Sequence, residues 1–312
     1  MKIIFTGSSS FTGFHFINEL KKNNNDVYVT FSKNKSYYLN GKNNRSIRVK
    51  KLINENNCYF NVNFSKPSGL NFIKNKIKKV DVFCHHFANT SNYKSENYDL
   101  LNSLKNSTEY IEKIMKLLKQ KGLKKYVYTG SYFEPSEQYK KTYKSFSKYG
   151  LSKLLIGEII NHYCYDNLIN YGKFVIPNPF GEYEDENRLS TILIKTWKSK
   201  KQFTINTPAY IRDNIPIFIL AREYSKFINL SNRKVLIAPS FYRTSNLEFV
   251  IKLSKEIKKR TKLACNFSIN NNPTYLEPMK MINKDKVSFK YNDKKIEKIW
   301  NKIIDYYKTI LN

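Results

Sequence analysis

Along the first half of the chain the spacing of apolar positions switches repeatedly between the period of a strand and that of a helix. Lys2 to Thr6 is a β-branched and aromatic run; a Gly/Ser turn follows, then apolar residues at Phe16, Ile17 and Leu20, which predicts strand, turn and helix. Val27 to Phe31, Cys58 to Phe64 and Val80 to His85 read as further strands separated by polar or helical segments. Asn97 to Lys121 carries a helical stripe at Leu104, Ile111, Met115 and Leu118, ended by Gly122. Lys125 to Thr129 resumes the sheet, Phe146 to Tyr163 predicts another helix, and Lys173 to Ile176 a strand that leads into Pro177-Asn178-Pro179-Phe180-Gly181. Alternation of this kind predicts an α/β fold, a doubly wound parallel sheet joined by crossover helices.

Beyond Gly181 the alternation weakens. Pro208, Pro216, Pro239, Pro273 and Pro278 break the remainder into short elements, and Ile296, Ile299, Trp300, Ile303 and Tyr307, with Ile310 or Leu311, form the apolar stripe of a closing helix. The expected organisation is a sheet domain over residues 1–170 and a smaller C-terminal α+β domain over 171–312, laid across the ligand edge of the sheet with some elements interleaved.

A chain of 312 residues buries an ample core without disulfides. Cys58, Cys84, Cys164 and Cys265 are far apart and form no CxxC pair, so neither a zinc site nor a redox motif has its spacing. The first apolar run is too short for a signal peptide and no later one spans a bilayer, which predicts a cytoplasmic protein with no membrane partner. The formal charge of +30 raises nucleic acid as a partner. The lysines are dispersed, however, with no recognition helix or basic-aromatic platform, so no nucleic-acid partner is expected. The same field would draw in a small anionic ligand.

Thr6-Gly7-Ser8-Ser9-Ser10-Phe11-Thr12-Gly13 follows the first predicted strand and opens the first helix. A dinucleotide turn needs small residues there because its backbone approaches a diphosphate, to which the helix N-terminus presents N–H groups. Gly7 and Gly13 fit the outer positions of a GxxGxxG spacing, with Ser10 in the middle. A tight strand-to-helix connection using glycine for positive φ has the same outline. After the second strand, Thr30-Phe31-Ser32-Lys33 lacks the acid that would bind the ribose hydroxyls of NAD(H), whereas Ser32 and Lys33 could receive the 2′-phosphate of NADP(H). NADP(H) is therefore favoured and NAD(H) is the alternative.

Tyr149-Gly150-Leu151-Ser152-Lys153 puts a phenol and an amine on one face of a predicted helix. An ammonium beside a phenol favours phenolate and makes tyrosine a usable acid or base; the same lysine could hold a ribose. In a chain so rich in Tyr and Lys this spacing also describes a solvated face. Thr129-Gly130-Ser131 ends the preceding parallel strand, where open α/β sheets place their ligand crevice, and Ser131 could there bond the oxygen on which Tyr149 acts.

Taken together the chain resembles an extended short-chain dehydrogenase/reductase of the nucleotide-sugar epimerase, dehydratase and reductase group, with a Rossmann-like cofactor domain. The first turn resembles TGxxGxxG, Asp81 to Ala88 the DVVFHLAA strand, Tyr149 to Lys153 the YxxxK motif, Pro177 to Gly181 the FNPxG segment and Tyr210 to Ile217 the RDYIHV stretch. The resemblance implies Ser131, Tyr149 and Lys153 as the catalytic group. It implies Gly7, Ser10, Phe11, Gly13, Asn63 and Ala88 around the cofactor, Asn178 and Arg212 on the sugar nucleotide, and a homodimer. Asn63 stands where the family has Asp near adenine, and its amide can both donate and accept. His85 and His86 read as buried structural histidines rather than metal ligands.

Two departures shape the functional expectation. Ser10 crowds the closest backbone approach to the cofactor. Tyr132 and Phe133 stand where family dehydratases carry an Asp-Glu pair, and Glu134 is displaced by two positions. Dehydration is therefore disfavoured. The expected activity is reduction of a keto group on a nucleotide-diphosphate-linked deoxyhexose, supplying precursors of a surface polysaccharide. A 4-epimerase with bound NAD and a non-catalytic cofactor-sensing scaffold are the rival readings.

Overall fold

The computed structural model describes residues 1–55, 57–135, 145–230 and 236–311. Its first half runs β1 (Lys2–Phe5), α1 (Phe11–Lys22), β2 (Asp26–Thr30), α2 (Lys35–Leu39), α3 (Asn44–Glu55), β3 (Cys58–Tyr59), α4 (Pro67–Lys76), β4 (Val82–His85), α5 (Leu100–Thr108), α6 (Ile111–Gln120), β5 (Lys125–Ser131) and α7 (Lys148–Asp166). Then follow β6 (Asn170–Ile176), β7 (Asn178–Phe180), α8 (Leu189–Lys198), β8 (Phe203–Ile205), β9 (Ile211–Pro216), α9 (Ile217–Asn229), β10 (Leu236–Ile237), β11 (Pro239–Ser240) and β12 (Tyr242–Ser245). The chain closes with α10 (Asn246–Arg260), β13 (Phe267–Ile269), β14 (Lys280–Met281), β15 (Asp285–Lys286) and α11 (Asp293–Leu311).

Seven strands form one sheet in the order β10-β6-β5-β4-β1-β2-β3, and every neighbouring pair is parallel. This is the doubly wound, Rossmann-like arrangement. Strand order reverses between β1 and β4, and in such sheets the crevice at the carboxyl ends beside that reversal receives the ligand. One face is covered by α1 and α9, where Phe16 stacks on Tyr224 with ring centroids 4.0 Å apart. The other is covered by α4, α6 and α7 through Ile73, Met115, Leu118, Ile156 and Ile160. A separate core around Trp197, Leu253, Trp300 and Tyr307 joins α8, α10 and α11. Between the two lobes β9 lies against β7, β12 and β14 in a small mixed sheet.

Local differences from the sequence pattern have local causes. The predicted strand Cys58–Phe64 stops at Tyr59, because Asn61 turns to φ +58° and the chain bends into α4. The single stripe over Asn97–Lys121 divides into α5 and α6 at Tyr110, whose φ of −106° and ψ of 9° leave the helix. α7 begins at Lys148 rather than Phe146 because the Ser147 hydroxyl accepts from Gly150 N and caps it. Among the described residues no helix is long and apolar enough to cross a membrane.

Candidate active site

The first turn is shaped by what surrounds it. Gly7 has φ +67°, and a Cβ there would lie 2.9 Å from the His86 carbonyl carbon and 2.9 Å from the Phe87 nitrogen. Only glycine fits without moving β4's continuation. Ser10 caps α1: its hydroxyl accepts from Gly13 N at 3.0 Å and meets His86 Nε2 at 3.1 Å. The side chain is therefore folded into the helix end. The leading N–H groups of α1, those of Phe11 and Thr12, have no partner within the helix by its geometry and can take an anion. A dinucleotide fits this cradle.

His86 joins the turn to β5. Its Nδ1 meets Thr129 Oγ1 at 2.9 Å, and its Nε2 also meets Thr12 Oγ1 at 2.9 Å. Burial pushes its pKa down to about 3, so the imidazole is neutral. His85 is likewise buried, bonded to the Tyr126 hydroxyl at 2.8 Å, and held neutral by burial. His86 is bonded through both ring nitrogens, whereas His85 Nε2 is buried without a hydrogen-bond partner among the described residues.

The remaining cofactor candidates lie at the same sheet edge. Ser32 and Lys33 are exposed beyond the end of β2, with Ser32 Oγ 3.4 Å from the Tyr38 hydroxyl and Lys33 Nζ 6.0 Å from the Tyr37 ring centre. Asn63 Oδ1 accepts from Ser65 N at 2.9 Å, which commits that oxygen to the turn into α4 and leaves the amide NH2 for a ligand. Ala88 is half-buried past β4. Phe11 is buried at the start of α1.

Ser131 ends β5, and Tyr149 opens α7 beside it; the Ser131 side chain is a hydrogen-bond partner of the Tyr149 phenol. Tyr93, Tyr98 and Phe133 surround the Tyr149 ring at centroid distances of 5.3, 5.8 and 5.9 Å. Burial among these groups raises the phenol, so it holds its proton. Lys153 donates to the Thr129 carbonyl at 2.6 Å and sits 4.2 Å from the Tyr128 ring centre. Burial pushes its ammonium down to about 8, against the opposing pull of Glu134. Tyr149 and Lys153 thus share a helix face as expected. The direct phenol-ammonium effect inferred from their spacing is not what sets Tyr149 here, where burial dominates.

At the start of β7, Asn178 Nδ2 donates to Asn214 Oδ1 at 2.7 Å, and its Oδ1 accepts from Arg188 at 3.0 Å. The Arg188 guanidinium lies 5.7 Å over the Phe11 ring and so spans from the Asn178 segment to the first turn. Arg212 stacks on Tyr210 at 4.1 Å, but its Nη2 donates to Glu277 at 2.8 Å, and Lys94 reaches the same carboxylate at 2.9 Å. Burial raises Glu277, yet Lys94 and Arg212 together hold it below the usual carboxylate range. Arg212 is thus an ion-pair partner in this state. Its neighbour Asp213 faces the other way and accepts from Phe241 N and Asn283 N.

The roles of three residues were not read from the sequence. Glu134 does not face the cleft as a displaced elimination acid; it is fully buried and paired with Lys173 at 2.6 Å. A lysine inside the apolar strand Lys173–Ile176 was the available signal. Arg188 had a loop position and no motif. Arg48, 1 % exposed, bonds the Ser9 and Tyr183 carbonyls and Asp185 at 3.1, 2.6 and 2.7 Å, tying the turn to the second lobe.

Comparison with known proteins bears on the fold and the family. A search of curated protein sequences finds no match. Among solved structures, UDP-glucuronic acid 4-epimerase from Bacillus cereus, bound to UDP-glucuronic acid and NAD, superposes with a TM-score of 0.77 at 17% identity, covering 99% of this chain and 100% of that one. UDP-glucose 4-epimerase from Thermotoga maritima gives 0.73 at 15% identity, with 100% of both chains covered. A dTDP-glucose 4,6-dehydratase from Streptomyces venezuelae gives 0.71 at 12% identity, covering 99% and 97%. At these identities the likeness establishes the fold. The family model of the NAD dependent epimerase/dehydratase family matches residues 3–215, well over half of the chain, and the protein belongs to that family.

Proposed function

We propose that this protein reduces a keto group on a hexose carried by a nucleotide diphosphate, with Tyr149 as the proton donor. The observation that carries this reading is the placement of Ser131 at the carboxyl end of β5 against Tyr149 of α7, with Lys153 bonded to Thr129 and His86 tying that strand end to the first turn. A nicotinamide cofactor supplies or accepts hydride at such a site when bound. Ser131 polarises the sugar oxygen, and Tyr149, kept protonated by its surroundings, gives a proton to the developing alkoxide. Lys153 holds the cofactor ribose and orders Thr129. The aromatic wall of Tyr93, Phe133 and Tyr149 excludes water and suits a sugar with an apolar, deoxygenated face. Glu134 is sequestered on Lys173, which weighs against dehydration.

The exposed Ser32 and Lys33 favour NADP(H) over NAD(H) as the form taken up. The second reading is a 4-epimerase that keeps NAD between turnovers, favoured by the folds shared with the Bacillus and Thermotoga 4-epimerases. Precursor supply for a surface polysaccharide, and assembly as a homodimer, are further parts of the proposal. Denaturing fresh protein and identifying released cofactor separates the readings: retained NAD selects the epimerase, an empty protein preferring NADPH the reductase. Tyr149→Phe should then lower turnover by about a hundredfold or more with cofactor affinity kept; full activity in that variant removes Tyr149 from the chemistry.

A further inference from the structure

Beneath the strand end that carries Ser131 lies a carboxylate for which the chemistry above has no use. Glu134 is 0 % exposed. Its Oε1 accepts from the Ser131 backbone N–H at 2.7 Å, and its Oε2 lies 2.6 Å from Lys173 Nζ on β6. Gly130 makes the room: a Cβ there would sit 2.8 Å from Glu134 Oε1 and 2.8 Å from Lys173 Cε. Burying a carboxylate is unfavourable unless it is paired and bonded, and an apolar side chain would close this turn at less expense. From the other side Lys153 donates to the Thr129 carbonyl at 2.6 Å. Thr129-Gly130-Ser131 is therefore held between an amine and a carboxylate.

The charged and titratable groups facing Lys153 come from each packed element. His85 and His86 on β4 are neutral, Tyr128 on β5 offers its ring face, Tyr149 on α7 is protonated, Lys173 on β6 pushes the Lys153 ammonium down, and Glu134, its carboxyl raised by burial against the pull of Lys173 and Lys153, pulls it up. We propose that Glu134 is a positioning residue: bonded to the Ser131 N–H on one side of Thr129-Gly130-Ser131, with Lys153 bonded to Thr129 on the other, it fixes that strand end and the place where Lys153 meets the cofactor ribose. This rests on the assignment of Ser131, Tyr149 and Lys153 made above. Burial drives Lys153 toward the neutral amine and Lys173 adds to that drive; Glu134 opposes both. Removing its charge makes Lys153 lose its proton at lower pH.

The test is the pH dependence of cofactor affinity, from about pH 6 to about pH 10, read by fluorescence titration with NADH and NADPH. Wild-type affinity should weaken as pH rises through about 8, and Lys153→Met should flatten that dependence. Glu134→Gln should move the midpoint toward acid by about one pH unit. Should that variant fail to fold, Glu134→Gln with Lys173→Met removes the buried pair together. It should shift the same way by less, because Lys173 acts on Lys153 more weakly than Glu134 and with opposite sign. A folded variant of either kind with the wild-type midpoint overturns the proposal, as does a midpoint that survives Lys153→Met. A wild-type protein that binds neither nucleotide overturns the functional reading and this inference with it. Full activity in Tyr149→Phe would remove only the role of Tyr149, leaving the midpoint shift to be read.

Discussion

A serine hydroxyl in the middle of a dinucleotide turn has two places to go: outward, against the diphosphate, or inward, onto the orphan amides of the helix. At position 10 it goes inward, to Gly13 N and His86. Ser10→Gly should therefore lower stability by a few tenths of a kcal/mol to about 1 kcal/mol, the range for a lost cap contact and one neutral hydrogen bond. NADH affinity should change less than about threefold; a gain of tenfold or more would show that the hydroxyl obstructs the cofactor. His15 makes a different demand on its surroundings. It is ringed by Phe11, Phe14 and Phe218, bonds the Glu182 carbonyl at 2.7 Å, and is pushed by burial to about 3. Between its ordinary value of 6.5 and about 3, the unfolded chain binds a proton that the native chain refuses. Its stabilising contribution is thus complete above that window and is lost as pH falls through it, by about 1.4 kcal/mol per pH unit. Melting at about pH 7 and about pH 5 should show a smaller drop for His15→Gln than for the wild type; equal drops would mean that His15 titrates normally.

At the scale of elements, α7 shows what a sequence pattern can carry. The spacing of Tyr149 and Lys153 placed both on one face of α7, and the strand-end position of Ser131 placed it beside them. Their electrical environment was not legible, because it comes from residues remote in sequence: Glu134 after β5, Lys173 on β6, and the rings of Tyr93 and Tyr98. The N-terminus of α7 illustrates the same limit. Gly150 looks like a spacer in the motif, yet a Cβ there would collide with the carbonyl oxygen of Phe133. Gly150→Ala must push the first turn of α7 away from the strand end and carry Tyr149 with it. Its helix propensity argues for a gain of about 1 kcal/mol and the collision against it, so the prediction turns on position. Turnover should fall at least about tenfold, in the manner of a displaced catalytic group, while NADH affinity stays within a few-fold. Unchanged turnover would show that α7 tolerates the shift. Strand existence was likewise readable from apolar runs, but the early end of β3 depends on an asparagine at φ +58° that no period announces.

For the molecule as a whole, the sheet order follows from alternation and handed crossovers, whereas the second lobe had to be seen, since its short strands pair across long separations. Its contacts with the first lobe pass through charged residues: Arg48 to Asp185, Lys94 to Glu277, Arg188 over Phe11. These bridges operate within a formal charge of +30, which bears on the whole fold in two opposed ways. Like charges repel over roughly a Debye length, about 10 Å at 0.1 M salt and about 3 Å at 1 M, so salt relieves self-repulsion of the native state. Under the proposed function the same field would draw in a doubly anionic sugar nucleotide, and salt would remove that attraction as well. Raising ionic strength from about 0.05 M to about 0.5 M should therefore raise the melting temperature of the free protein while weakening nucleotide-sugar affinity. The two responses are measured on one preparation, by calorimetry and by titration with UDP-glucose and dTDP-glucose. A melting temperature that falls with salt would mean that the interlobe ion pairs outweigh the net repulsion. An affinity indifferent to salt would place recognition on neutral donors such as Asn178 and the α1 amides rather than on the basic field.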